Sequence, residues 1–323
     1  MSRPVVVAHH GHCFDGMASA ALFTRFLRAR EGTALEVTYR GLDHQPGGSH
    51  VPREVLRGRV NAVLDFRYTT APELTWFFDH HVTGVVGEGE RAHLAADTSG
   101  RKFFDPDYGS CCKLIADVAR ERFGFVVPEL DELVRWADII DTARFDSAEQ
   151  ATRYDEPALA LMAVIEAHGD DAFLSPRIRR LAEGASLAEL AAESAVQERL
   201  RPIRAQLDES ARLLKERARV ADGVTFFDLG RRSSESYGKF LPYALFPEAR
   251  YSVGVTAGPR RAKVSVGYNP WAEAPREHDI AALCGRYGGG GHPQVGAVSL
   301  DPKELPRARE IAAEIAQALR TPP

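Results

Sequence analysis

Cysteine is sparse and poorly spaced for either of its structural uses. Cys13, Cys111, Cys112 and Cys284 are the only four in 323 residues, and they form neither a C-x-x-C pair nor the regular spacing of a disulfide framework. Neither a disulfide framework nor a C-x-x-C metal site is indicated, and a reducing cytoplasm is the expected compartment. Long apolar runs are missing too. No stretch reaches the ~18 consecutive apolar residues of a membrane span, and the opening MSRPVVVAHH has only a short apolar run before histidine, unlike a secretory leader. No sign of charge dominates: 41 Lys and Arg against 45 Asp and Glu leave a formal net charge of −4. Such a balance supplies no global attraction for nucleic acid or membrane. Internal repeats and low-complexity tracts are absent as well.

What is present is a globular composition, 44% hydrophobic, in a chain long enough for two ordinary domains. The first third alternates short β-branched runs (PVVVA, LEVTYR, NAVLDF) with Ala- and Leu-rich segments such as MASAALFTRFLRAR. That pattern predicts βαβ units and a parallel sheet. From Ser110, a fitting N-cap, CCKLIADVARERFG reads as a helix that Gly124 stops, and ELDELVRWADIID reads as another. Long helices broken only by Pro202 fill 181–220. A second β-rich unit then runs through GVTFFDL, YSVGVTAG and AKVSVGY to the glycine-rich turn YGGGGHPQVGAVSL and a terminal helix from near Pro302.

In an open parallel sheet, ligands sit beyond the carboxyl ends of the strands. Three such ends carry polar chemistry: His9 after VVVA, Asp65 after AVL, and Asp79, His80 and His81 after WFF. Taken singly these are ordinary turn and cap residues. Taken together with Asp15, Asp138 and Asp141 they make a set of imidazoles and carboxylates, which suits manganese or magnesium better than a thiolate zinc site. Two such ions about 3.5–4 Å apart, sharing a carboxylate, would clamp the attacking and leaving oxygens of a phosphoryl transfer. A hydrolase of phosphate esters is the expected class.

These residues resemble the DHH phosphoesterases with a DHH-associated C-terminal domain, over nearly the whole chain and in the expected order. HHGHCFDGMASA resembles the family's first motif, H-x-x-x-D-x-D, with His9 and Asp15 in place and Cys13 at the first aspartate. VLDF resembles the second, which implies that Asp65 bridges two metals. FDHH is the signature itself, and implies His80 as a metal ligand, His81 as the contact to the scissile phosphate, and Asp79 as the residue that orients them. DIIDTARF is similar to the fourth motif and selects Asp141. GGGGHPQVGA is similar to the glycine-rich motif of the associated domain. There Gly289, Gly290 and Gly291 would let backbone amides approach a phosphate or base, and His292 would donate a hydrogen bond.

The resemblance implies a parallel-sheet metal domain over residues 1–190, a helical linker over 191–219 and a smaller mixed α/β substrate domain over 220–323, with the active site in the cleft between domains. The implied cofactor is Mn2+, one or two ions, with Mg2+ or a softer divalent metal as alternatives. The implied substrates are short nucleotides: nanoRNA, a 3′,5′-bisphosphate or a dinucleotide, with polyphosphate second. Neither a membrane nor a stable nucleic-acid complex is expected, and a homodimer is left open. Two positions depart from the pattern. Cys13 puts a thiol where a carboxylate would bind a hard ion, which leaves three options: loss of that ion, ligation through His12 or a softer metal on the thiolate. A noncatalytic nucleotide sensor is the rival this creates. Gly267 stands where related nucleases carry a phosphate-gripping arginine, leaving Arg231, Arg232, Lys239, Arg260, Arg261 or Lys263 as substitutes.

Overall fold

The computed structural model describes residues 3–32, 35–43, 50–231 and 237–322. Arg232 lies outside them. The chain separates into two compact units, Met1–Phe145 with Tyr154–Leu200, and Asp146–Arg153 with Arg201–Pro323.

The first unit is built on strands β1 (Arg3–His10), β2 (Leu35–Leu42), β3 (Val60–Leu64), β4 (Trp76–Asp79) and β5 (Lys102–Phe104). They pair in the order β2-β1-β3-β4-β5, all parallel. Every residue of β3 and β4 is buried, which is why VNAVL and WFFD read as continuous apolar runs rather than alternating ones. Trp76 and Phe78 join Phe23, Phe26, Phe103 and Phe123 in an aromatic cluster on one face. Phe77 turns to the other face, against Tyr68.

The helices of this unit are α1 (Phe14–Glu31), α2 (Gly87–Ala95), α3 (Cys111–Phe123), α4 (Asp131–Thr142), and, after α5 (Ala148–Arg153) of the second unit, α6 (Pro157–His168), α7 (Asp171–Ala182) and α8 (Leu187–Ala191). The capping predicted for α3 is present: the Ser110 side chain accepts from the Lys113 amide, and Gly124 closes the helix in the left-handed region at φ 63°. Strand order reverses between β1 and β3, because the chain lays β2 on one side of β1 and β3 on the other. This switch point opens a crevice at the carboxyl ends of those two strands.

Helix α9 (Ser194–Arg217) continues through Pro202, and the boundary between the units falls inside it. The second unit holds β6 (Arg219–Ala221), β7 (Val224–Gly230), α10 (Leu241–Leu245), β8 (Tyr251–Ala257), β9 (Ala262–Tyr268), α11 (Ile280–Gly285), β10 (Gly290–His292), β11 (Val295–Leu300) and α12 (Leu305–Arg320). Its sheet runs β10-β11-β9-β8-β7-β6, parallel only between β7 and β8. Ala308, Ile311, Ala312, Ile315, Ala316 and Leu319 form the buried stripe of α12, packed in one core with Val253, Val255, Val264 and Val266. A parallel-sheet unit and a separate mixed α/β unit are the fold class expected from the sequence. The segment read as a glycine-rich turn is in part an edge strand, β10. No helix among the described residues is long and apolar enough to cross a membrane.

Candidate metal centre

The carboxyl ends of β1, β3 and β4 bring their polar residues together. Asp65 directly follows β3 and adopts φ 56°, a conformation rare for a side chain larger than glycine, and its amide donates to Phe78 O at 2.9 Å. Such backbone strain concentrates at functional sites. Asp65 is 1% exposed and lies between two imidazoles: Oδ2 is 3.5 Å from His10 Nδ1, and Oδ1 is 3.5 Å from His80 Nε2. His80 Nε2 is also 3.2 Å from Asp141 Oδ2 and 3.9 Å from Asp15 Oδ2. Among the described residues the donors fall into two groups, His10–Asp65–His81 and Asp15–His80–Asp141, each with its donor atoms within 4.8 Å of one another.

Surrounding groups aim these donors. His80 donates from Nδ1 to the Tyr108 carbonyl at 3.0 Å, which directs Nε2 toward the carboxylates. His81 donates from Nδ1 to Asp79 Oδ1 at 2.7 Å, the orienting contact expected of Asp79. The Cys111 and Cys112 amides donate to Asp15 Oδ2 and Oδ1 at 2.7 and 3.0 Å.

The electrostatics show what the site lacks. Burial, then the neighbouring carboxylates Asp65 and Asp141, raise the Asp15 carboxyl well above its usual range, and burial with Asp65 raises Asp141. Burial would raise Asp65 as well, but His10, His80 and His81 outweigh it and hold that carboxyl well below the usual range. Burial would lower His80, yet Asp65, Asp15 and Asp141 together lift its imidazole to about 9. His80 Nε2 and both oxygens of Asp65 are buried without a hydrogen bond. Three carboxylates converging on one buried imidazole are short of positive charge, and divalent cations on oxygen and nitrogen donors fit that deficit.

Of the sequence-predicted metal residues, Asp15, Asp65, His80 and Asp141 are brought together. His9 and Cys13 are not in either group. Side chains alternate along a strand: Ala8 packs into the core formed by Leu42, Val63, Phe66 and Phe77, so His10 shares Ala8's face and His9 takes the opposite one. His9 is fully buried there, donating from Nδ1 to its own neighbour, His10 O, at 3.0 Å. Cys13 stands at the N-cap of α1, where burial and then Asp65 and Asp15 push its thiol well up. His12 accepts from the Gly169 amide at 3.1 Å instead of joining the donors. Sequence reasoning missed His10, Tyr108 and the Cys111 and Cys112 amides. The alternation of β1 was the available signal for His10, whereas backbone contacts leave none.

In the second unit, Gly290, Gly291 and His292 form the edge strand β10, with Gly291 opposite Gly296. Gly291 has φ 150° and approaches Val295 O so closely that a Cβ would overlap it. Gly289 directly precedes the strand, and His292 is exposed. Beside Gly267 the space a side chain would need is taken by the Tyr243 hydroxyl, which bonds Ser252 Oγ at 2.9 Å. An arginine at 267 would have to displace it. Arg231 donates to Pro302 O at 3.2 Å.

Compared as a sequence, the chain matches no family model and no curated protein. Compared as a structure, it is similar to PggH, a pGpG-specific phosphodiesterase from Vibrio cholerae, with TM-score 0.66 and 18% identity over 98% of this chain and 100% of that one. It is also similar to the exonuclease RecJ bound to manganese (TM-score 0.52, 15% identity, 98% and 90% of the two chains). A third likeness is to the DHH domain of a member of a family of ribosomal proteins (TM-score 0.50, 12% identity, 99% and 88%). The chain shares the fold of these structures, that of a DHH domain among them. Asp79 closes β4, His80 and His81 follow it, and Asp15, Asp65 and Asp141 lie around His80.

Proposed function

We propose that this protein is a metal-dependent phosphohydrolase that cleaves phosphoester bonds of short nucleotides. The observation that carries the reading is Asp65, buried at the switch point with one oxygen facing each group of donors. Asp15, His80 and Asp141 would hold one divalent cation, and His10 the other, with Asp65 shared. When bound, such a pair supplies a nucleophile at neutral pH and neutralises the charge that builds on phosphorus-bound oxygens.

The chain's own residues do the rest. Tyr108 fixes the ring of His80, and Asp79 fixes that of His81. His81 is 34% exposed against 8% for His80, so it is the imidazole of the pair that can reach a substrate. Its pKa is raised, chiefly by the hydrogen bond to Asp79. In its protonated form His81 would donate from Nε2 to a phosphoryl oxygen and stabilise the charge developing there. Gly289, Gly290, Gly291 and His292 are proposed to hold the nucleotide, since an edge strand presents backbone donors with no side chain in the way. A linear dinucleotide is the favoured substrate, supported by the likeness to PggH over the length of both chains. A noncatalytic sensor was suggested by Cys13 alone, and Cys13 contributes to neither donor group.

The test is hydrolysis by the full chain, with added Mn2+, of linear dinucleotides, a 3′,5′-bisphosphate nucleotide and polyphosphate. Turnover of a dinucleotide that falls by more than about 100-fold in His80→Ala is expected. No turnover of any of the three, or turnover unchanged in His80→Ala, contradicts the reading.

A further inference from the structure

Asp15 is 1% exposed, and a buried carboxylate is useful as a ligand only if it cannot rotate away. The first turn of α3 prevents that rotation. Cys111 and Cys112 open the helix, so their amides have no carbonyl one turn back to bond. The Ser110 side chain takes the Lys113 amide. The two free amides before it reach Asp15, one to each oxygen, at 2.7 Å from Cys111 to Oδ2 and 3.0 Å from Cys112 to Oδ1. Two donors on two oxygens fix the plane of the carboxylate and leave a lone pair on each. The positive end of the helix dipole also favours an anion at this place.

We propose that the first turn of α3, through the Cys111 and Cys112 amides, is the positioning element that holds Asp15 in ligand geometry before a cation arrives. This rests on the reading of Asp15 as a metal ligand. Cys111 and Cys112 thus matter for their amides, and the thiol of Cys112 is dispensable.

The test is Mn2+ binding by calorimetry, with melting temperature as the structural control. Cys112→Pro removes one donor in the first turn, where no intrahelical hydrogen bond is lost, whereas Cys112→Ala keeps it. Expected is Mn2+ binding weakened about 10–100-fold in Cys112→Pro and nearly unchanged in Cys112→Ala. Ser110→Ala loosens the turn, and Ser186→Ala removes the equivalent cap of α8, which carries no donor. Both should lower the melting temperature by about 2–4 °C, and only Ser110→Ala should weaken Mn2+ binding. Hydrogen exchange on the metal-free wild type completes the test: the Cys111 and Cys112 amides should be protected, although no helical carbonyl bonds them.

Rapid exchange of those two amides overturns the proposal, as does a folded Cys112→Pro that binds Mn2+ like Cys112→Ala. If Cys112→Pro does not fold, the two serine variants and the exchange rates decide. A wild type that binds no Mn2+ while the amides are protected would remove the ligand reading and leave the positioning of Asp15 intact.

Discussion

His80 shows most directly how single residues define this site. It is buried among three carboxylates, and in the metal-free protein the proton it holds partly supplies the missing positive charge. With a folded pKa of about 9 against an ordinary 6.5, its contribution to the stability of the metal-free fold is fully present below pH 6.5. That contribution is lost as pH rises through 9. A cation must displace the proton, so Mn2+ binding at pH 7.5 should release close to one proton from this group, and affinity should strengthen as pH rises toward 9. Calorimetry in two buffers of different ionisation enthalpy measures the release; binding heats that do not depend on the buffer contradict it. His9 and His10 make the complementary point. They are adjacent and chemically identical, yet strand alternation sends one to the donors and the other into the opposite face.

All the proposed metal donors come from strand ends and helices of the first unit, whereas β10 belongs to the second. Gly291→Ala should therefore separate binding from metal loading. Its φ of 150° and the nearness of Val295 O force β10 to shift, so KM for a dinucleotide should rise about tenfold or more while Mn2+ affinity stays as in the wild type. Kinetics and Mn2+ binding on the same preparation check this, and an unchanged KM removes β10 from the proposed nucleotide site. The elements were also the most legible level of the sequence. Buried parallel strands appear as bare apolar runs, and Ser110 and Gly124 mark both ends of α3. The β10–β11 hairpin was legible only as glycine, because its pairing depends on a partner strand rather than on side chains.

At the scale of the whole molecule, the two-unit architecture and the order of motifs along the chain were readable because three of the motifs sit at the ends of apolar strand runs. What was not readable is long-range. The placing of Asp146–Arg153 with the second unit and a unit boundary inside α9 depend on tertiary packing, as does the contact between the α3 amides and Asp15, 96 residues away in sequence. The motif spacing points to His9, whose Nε2 is buried without a hydrogen bond, whereas the facing of β1 puts the adjacent His10 among the grouped donors.

That Asp65 joins two cation positions is the central claim, and equilibrium Mn2+ binding to the full chain tests it most directly. The predicted result is two ions per chain for the wild type and for His9→Asn, loss of one ion in His10→Ala and in Asp141→Ala, and weakening of both in Asp65→Ala. An Asp65→Ala protein that still binds two ions with wild-type affinity, or a wild type that binds none, would contradict it.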